Sequence, residues 1–191
     1  MDVARQIPRY VCATAAVLGL AALWAVISPA KAADTYSEDA VKAAYLYRIA
    51  GYVHWPDQTP PDARFTIAVL GSPGVARELR HLLPGHLIYN RPVQIREITG
   101  TADLGKPQIL FVGTGRAESL REVIPSNGMR YTLLVTDEEG GLNAGSSLNF
   151  LTIDQRVRFE ISLAAADRSG LKISAELLGV AVRVRGGAKQ S

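Results

Sequence analysis

Three short, largely apolar runs constrain this chain most: Phe65 to Leu70, Ile109 to Val112 and Tyr131 to Val135. Each is of strand length. Apolar residues at consecutive positions suit a strand covered on both faces, as in a parallel sheet. The first run is followed by Gly71-Ser72-Pro73-Gly74, then a helical pattern from Val75 to Leu83 that Pro84-Gly85 closes. The second is followed by Gly113-Thr114-Gly115 and a helical pattern near Ala117 to Val123. Val93 to Ile98 adds an imperfectly alternating strand. Ser147 to Ile153 and Val157 to Ile161 read as an antiparallel hairpin near one edge, turning at Asp154-Gln155, because Arg156, Arg158 and Glu160 alternate with Val157, Phe159 and Ile161. Ser37-Glu38-Asp39 has the hydroxyl and acids of a helix start; Tyr45, Ile49, Tyr52 and Val53 follow at helical spacing up to Trp55-Pro56. Leu171 to about Val184 reads as a final amphipathic helix. Strands alternating with helices predict an α/β fold: a single Rossmann-like layered domain with a mixed, mostly parallel sheet flanked by helices.

The first 32 residues read differently. Arg5 and Arg9 precede an uncharged stretch from Val11 to Ile27, and Ala30-Lys31-Ala32 places small residues before a cleavage point. This is the order of a secretory signal peptide. The expected organisation is a signal at 1–32, one domain at 33–185 and a flexible tail at 186–191. The expected location is the periplasm, with an uncleaved N-terminal membrane anchor as the alternative, since the stretch lies near the short limit for a span. Removal of the signal leaves about 159 residues, enough for one domain with its own core. Arg5, Arg9 and Lys31 against Asp2 account for +2 of the chain's +3 charge, so the remainder is nearly neutral. That gives no electrostatic case for nucleic acid. The only cysteine, Cys12, falls within the signal, so the exported chain has neither a disulfide nor a thiol nucleophile.

The residues of known chemistries do not assemble. The turn at Gly71 lacks both the dinucleotide and the P-loop patterns, and Pro73 removes an amide donor. Gly71 with Gly113, Gly115 and Arg116 forms at most a weak anion or ligand site at strand ends. His54, His81 and His86 do not have metal-ligand spacing, and Ser146-Ser147 does not stand in a nucleophile elbow. Asp137-Glu138-Glu139, set among glycines, reads as a solvated loop. No catalytic residue, metal or cofactor is expected; the chain reads as a binding or regulatory module. Tyr47, Tyr52 and Trp55, beside Tyr45, are the candidate partner-binding residues, because aromatic side chains are enriched where interfaces hold most tightly.

Val41-Lys42-Ala43-Ala44-Tyr45-Leu46-Tyr47, then Tyr52-Val53-His54-Trp55-Pro56, resembles the opening signature of the YfiR family. Phe65 to Gly71, Val157-Arg158-Phe159-Glu160-Ile161 and Ser169-Gly170-Leu171-Lys172-Ile173-Ser174 with Leu177-Leu178 resemble its later motifs, so the likeness runs over about residues 37–185. The resemblance implies a periplasmic repressor that binds the periplasmic part of an inner-membrane diguanylate cyclase, lowering cyclic di-GMP, exopolysaccharide and biofilm. An outer-membrane lipoprotein sequesters such repressors. The implied partners are therefore that cyclase and that lipoprotein; a second copy of the chain is a further candidate partner, on which the resemblance is silent. Two departures stand out. The redox-linked disulfides of the best-known members have no cysteines here, and Ser162 stands where the family often has Asn. The alternative function is a periplasmic small-ligand module serving a sensor or transporter, with its pocket near Gly71 and Gly113.

Overall fold

A computed structural model describes residues 37–56, 64–116 and 129–186. Helix α1 (Glu38–Ala50) leads to β1 (Val53–His54), β2 (Phe65–Leu70), α2 (Pro73–Leu82), β3 (Leu87–Ile88), β4 (Arg91–Ile98), β5 (Ile109–Val112) and β6 (Leu133–Thr136). Then follow β7 (Leu148–Ile153), β8 (Arg156–Ser162), α3 (Leu163–Arg168), β9 (Lys172–Ile173), α4 (Ala175–Val180) and β10 (Arg183–Arg185). Eight strands form one sheet in the order β10-β8-β7-β6-β5-β2-β4-β3, and β1 pairs with β9 apart from it. Within the large sheet only β3–β4 and β7–β8 are antiparallel. The expected fold class is what the chain adopts.

Burial explains why the strands form. Every residue of β5 and β6 is buried, and so is β2 apart from the half-buried Thr66. One sheet face carries Ile67, Val69, Phe111, Phe150 and Phe159 against Leu46 and Ile49 of α1 and Leu79 of α2. The other carries Ala68, Leu70, Leu110, Val112 and Leu134 with Met129. Each large side chain removed from water here contributes about 2–3 kcal/mol. The β7–β8 hairpin turns on Asp154 and Gln155, both left-handed at φ 48° and 59°, the geometry whose twist matches two antiparallel strands.

Several elements differ from expectation. The first helix ends at Ala50, not before Trp55. Gly51 and Tyr52 donate back to Arg48 and Ile49 in a tightened last turn, which frees Val53 to pair with Ile173. The final helix expected over Leu171–Val184 is instead β9, the six-residue α4 and β10. Ser174 caps α4 by accepting from the Leu177 amide, and Val182-Arg183-Val184-Arg185 alternates with the two-residue period of a strand. Tyr131 sits at φ 63°, so the strand expected to open there starts at Leu133. The hairpin lies one strand in from the edge, because β10 adds outside β8. Ser162, at the family's Asn position, caps α3 through the Ala165 amide. The leader at 1–32, the loop at 57–62, the helix near 117–123 and the tail at 187–191 lie outside the described residues.

Candidate functional site

Two places gather the residues singled out above. The first is at the C-terminal ends of the parallel strands. There β2 is flanked by β4 on one side and β5 on the other, the switch point at which ligands of open α/β sheets sit. Gly71 (φ 73°) and Gly113 meet directly: the Gly113 amide donates to the Leu70 carbonyl at 2.9 Å, and a Cβ on Gly113 would stand 2.8 Å from the Gly71 carbonyl oxygen. The Arg116 side chain lies over Gly71, where a Cβ would stand 2.7 Å from Cγ, and Gly115 turns the chain at φ 80°. All four residues of the weak anion site are therefore neighbours.

The surroundings are acidic, however. The Asp39 carboxylate lies where a Cβ on Gly74 would be, so the positive end of α2 already faces a carboxylate of the chain itself. Beside it, buried Lys42 contacts Glu38 and Asp137, each at 2.5 Å. The Thr114 hydroxyl donates to the Asp137 carbonyl at 2.6 Å. Asp137 is thus mostly buried and paired, which corrects the expectation of a solvated loop. Burial of the Lys42 ammonium opposes its charge, but the hydrogen bonds to Asp137 and Glu38 outweigh this and hold its pKa above the usual 10.5. The hydrogen bond from Lys42 holds Glu38 below 4.5, against a smaller opposing effect of burial. Lys42 was not picked out as a site residue; its signal was a lysine four residues after a glutamate, inside a helix otherwise apolar along that stretch.

These directions predict a pH dependence. Stability from the raised Lys42 is complete below 10.5 and is lost as pH rises through its folded value. Stability from the lowered Glu38 is present above 4.5 and is lost as pH falls through its folded value. The difference in melting temperature between the wild type and K42M should be constant between those values and shrink beyond both. A difference unchanged to strongly alkaline pH would rule out this role for Lys42.

The second place lies at the opposite, N-terminal ends of β2 and β4. Trp55 packs edge-on against Phe65 and Tyr89, with centroids 5.2 and 6.0 Å apart, and Tyr47 packs edge-on against His86 at 5.3 Å. The Tyr89 hydroxyl donates to the Val53 carbonyl at 2.7 Å, which fixes the ring beside β1. Tyr52 (43% exposed), Leu87 (52%) and Tyr89 (53%) present an apolar patch to solvent above these partly buried rings. Of the expected trio, Trp55 and Tyr47 pack on Tyr89 and His86 on either side of β3 and Tyr52 is exposed ahead of β1, whereas Tyr45 turns inward onto Phe150 and Phe159. Leu87 and Tyr89 were missed. Their signal was a two-residue turn, Tyr89-Asn90 at φ 52° and 58°, between short apolar and alternating runs. A groove of about 320 Å³ along α1 is lined, among the described residues, by Ala40, Val41, Ala44, Tyr45 and Arg48, which suits apolar contact more than a polar ligand. His54, His81 and His86 are exposed and, among the described residues, no three His, Cys, Asp or Glu side chains are placed to hold a metal. No described helix is long and apolar enough to cross a membrane.

The fold is an α/β domain with exposed aromatic and aliphatic side chains at one end of its sheet and a buried lysine paired with carboxylates at the other. The chain belongs to the YfiR/HmsC-like family, whose model matches residues 39–182; that family is regulatory rather than catalytic. A crystal structure of a conserved domain protein from Vibrio cholerae O1 biovar El Tor is similar in fold, with 13% identity and a TM-score of 0.53 over 78% of this chain. The chain spans 60% of the length of that neighbour. Among curated proteins none matches.

Proposed function

We propose that the protein is a periplasmic regulator that represses an inner-membrane diguanylate cyclase by direct contact with the cyclase's periplasmic part, lowering cyclic di-GMP and biofilm output. The observation that carries this reading is the family match over residues 39–182. The patch of Tyr52, Leu87 and Tyr89 supports it, because exposed aromatic and aliphatic side chains over a packed base suit a protein partner. An outer-membrane lipoprotein would relieve repression by occupying the same patch. The small-ligand reading keeps the neighbouring Gly71, Gly113, Gly115 and Arg116 in its favour, but the Asp39 carboxylate at the end of α2 weighs against an anionic ligand.

Deleting the gene in its host should raise cyclic di-GMP several-fold. A copy carrying residues 1–32 should restore the level, and a copy without them should not. The Y52E/L87E variant should be exported and folded yet fail to restore it. An unchanged cyclic di-GMP level after deletion, across growth conditions, would sink the repression reading; restoration by Y52E/L87E would move the contact elsewhere.

A further inference from the structure

Strand β10 is the outermost strand of the large sheet, and every one of its residues is exposed. Val182 donates its amide inward to the Phe159 carbonyl at 3.0 Å. The two-residue turn of the hairpin commits the backbone groups of Arg156, Arg158 and Glu160 to β7, so those of Phe159 and Ile161 face β10; in the parallel register they meet the amides of Arg183 and Arg185, and the amide and carbonyl of Val184 turn to the open edge. The register sets Arg183 beside Glu160, Val184 beside Ile161 and Arg185 beside Ser162. Alternation therefore puts Arg183 and Arg185 on the same sheet face as Glu160, Arg158 and Arg156, and Val184 (41% exposed) on the other. Four exposed arginines share that face, and the only carboxylate on these two strands is buried Glu160, which accepts from Arg183 at 3.2 Å.

We propose that the free edge of β10 binds an extended segment of a partner protein whose residues alternate between acidic and apolar. The added strand would take the outward amide and carbonyl of Val184 as ladder partners. Its acidic residues would face Arg183 and Arg185, and its apolar residues would lie beside Val184. A second copy of the chain does not fit. Antiparallel pairing of β10 with itself sets Arg183 directly across from Arg185 on one face, and facing like charges are destabilising. A flat anionic membrane fits less well, because Val184 and the two arginines of β10 point to opposite sides of the sheet. The inference rests on the reading that the protein acts by protein contact, and it assigns that contact a second surface, distant in the strand order from the β3 hairpin.

The test is fluorescence anisotropy of the purified protein with a labelled Thr-Glu-Val-Glu-Val-Glu-Thr peptide and its counterpart with Lys for each Glu. The acidic peptide should bind at least about tenfold more tightly at low salt, and less tightly as salt rises. R158E/R185E, which spares the Arg183–Glu160 pair, should invert the preference, and V184P, which removes the outward amide, should abolish binding of both peptides. No binding of the acidic peptide, equal binding of both, or binding that survives V184P would overturn the proposal. Binding of phosphatidylglycerol vesicles in place of the peptide, lost in R158E/R185E, would overturn it in favour of a membrane surface. The titration reads β10 alone and the gene deletion reads repression, so either can fail without the other.

Discussion

Replacing Lys42 by methionine should lower stability by about 3 kcal/mol, near the low end for breaking a buried ion pair. Methionine nearly matches the length of the lysine stem, so little packing is lost. What remains is Asp137, mostly buried and still held by Thr114, with its counter-ion gone. Glu38 matters less, since its half-exposed carboxylate stays hydrated. For a domain of this size the melting temperature should drop by roughly 6–12 °C. A double-mutant cycle separates pairing from packing: K42M/D137L, which removes both charges, should recover more than half of the loss. If the double variant is as unstable as the sum of its parts, the cost lies in packing and the ion pair is incidental. Because Lys42 links α1 to the segment after β6, the loss should also loosen the strand ends around Gly71 and Gly113.

Much of the framework could be read from local pattern. Phe65–Leu70 and Ile109–Val112 are apolar at consecutive positions and bounded by glycine, and they form strands over those same residues. The helix after Gly71 and the hairpin at Asp154-Gln155 follow from equally local signals. Elements that depend on distant partners were not legible. Val53-His54 forms a strand only because Ile173 and Lys172 lie alongside, more than a hundred residues away in sequence. In Leu171–Val184 the apolar residues fit a helical period as a whole, while the strand period of Val182 to Arg185 is confined to its end. The aromatic site was half legible. Tyr47, Tyr52 and Trp55 announce themselves by residue type, but the exposed Leu87 and Tyr89 reach the same patch only through a hairpin that has no glycine to mark its turn.

The glycine-rich stretch after β6 was the largest misreading, and it carries the sharpest contrast between two glycines. Gly141 and Leu142 are buried, and Ser146 and Ser147 almost completely so. Beneath them the Thr136 hydroxyl donates to the Asn149 side-chain carbonyl at 2.7 Å and reaches Ser146 Oγ at 3.0 Å. Asn149 in turn donates to Glu160 at 3.1 Å. A Cβ on Gly141 would collide with Thr136 Oγ1 and stand 2.5 Å from Asn149 Oδ1. Neither neighbour has a flexible end to move aside, as both are fully buried sheet residues. G141A should therefore push Asn149 off Thr136 and Glu160, leaving a buried carboxylate short of a donor, at a cost of about 3–4 kcal/mol. Gly100 has open space around its Cβ position and no left-handed φ, so G100A should leave stability within about 0.5 kcal/mol of wild type. Denaturant unfolding of the two variants side by side decides the matter. Equal stability would mean that the loop after β6 can lift away from the sheet at little cost. A large loss confined to G141A would mean that Thr136, Asn149 and Glu160 depend on a bare backbone packed above them, the one arrangement in which a polar row inside this sheet keeps all its partners.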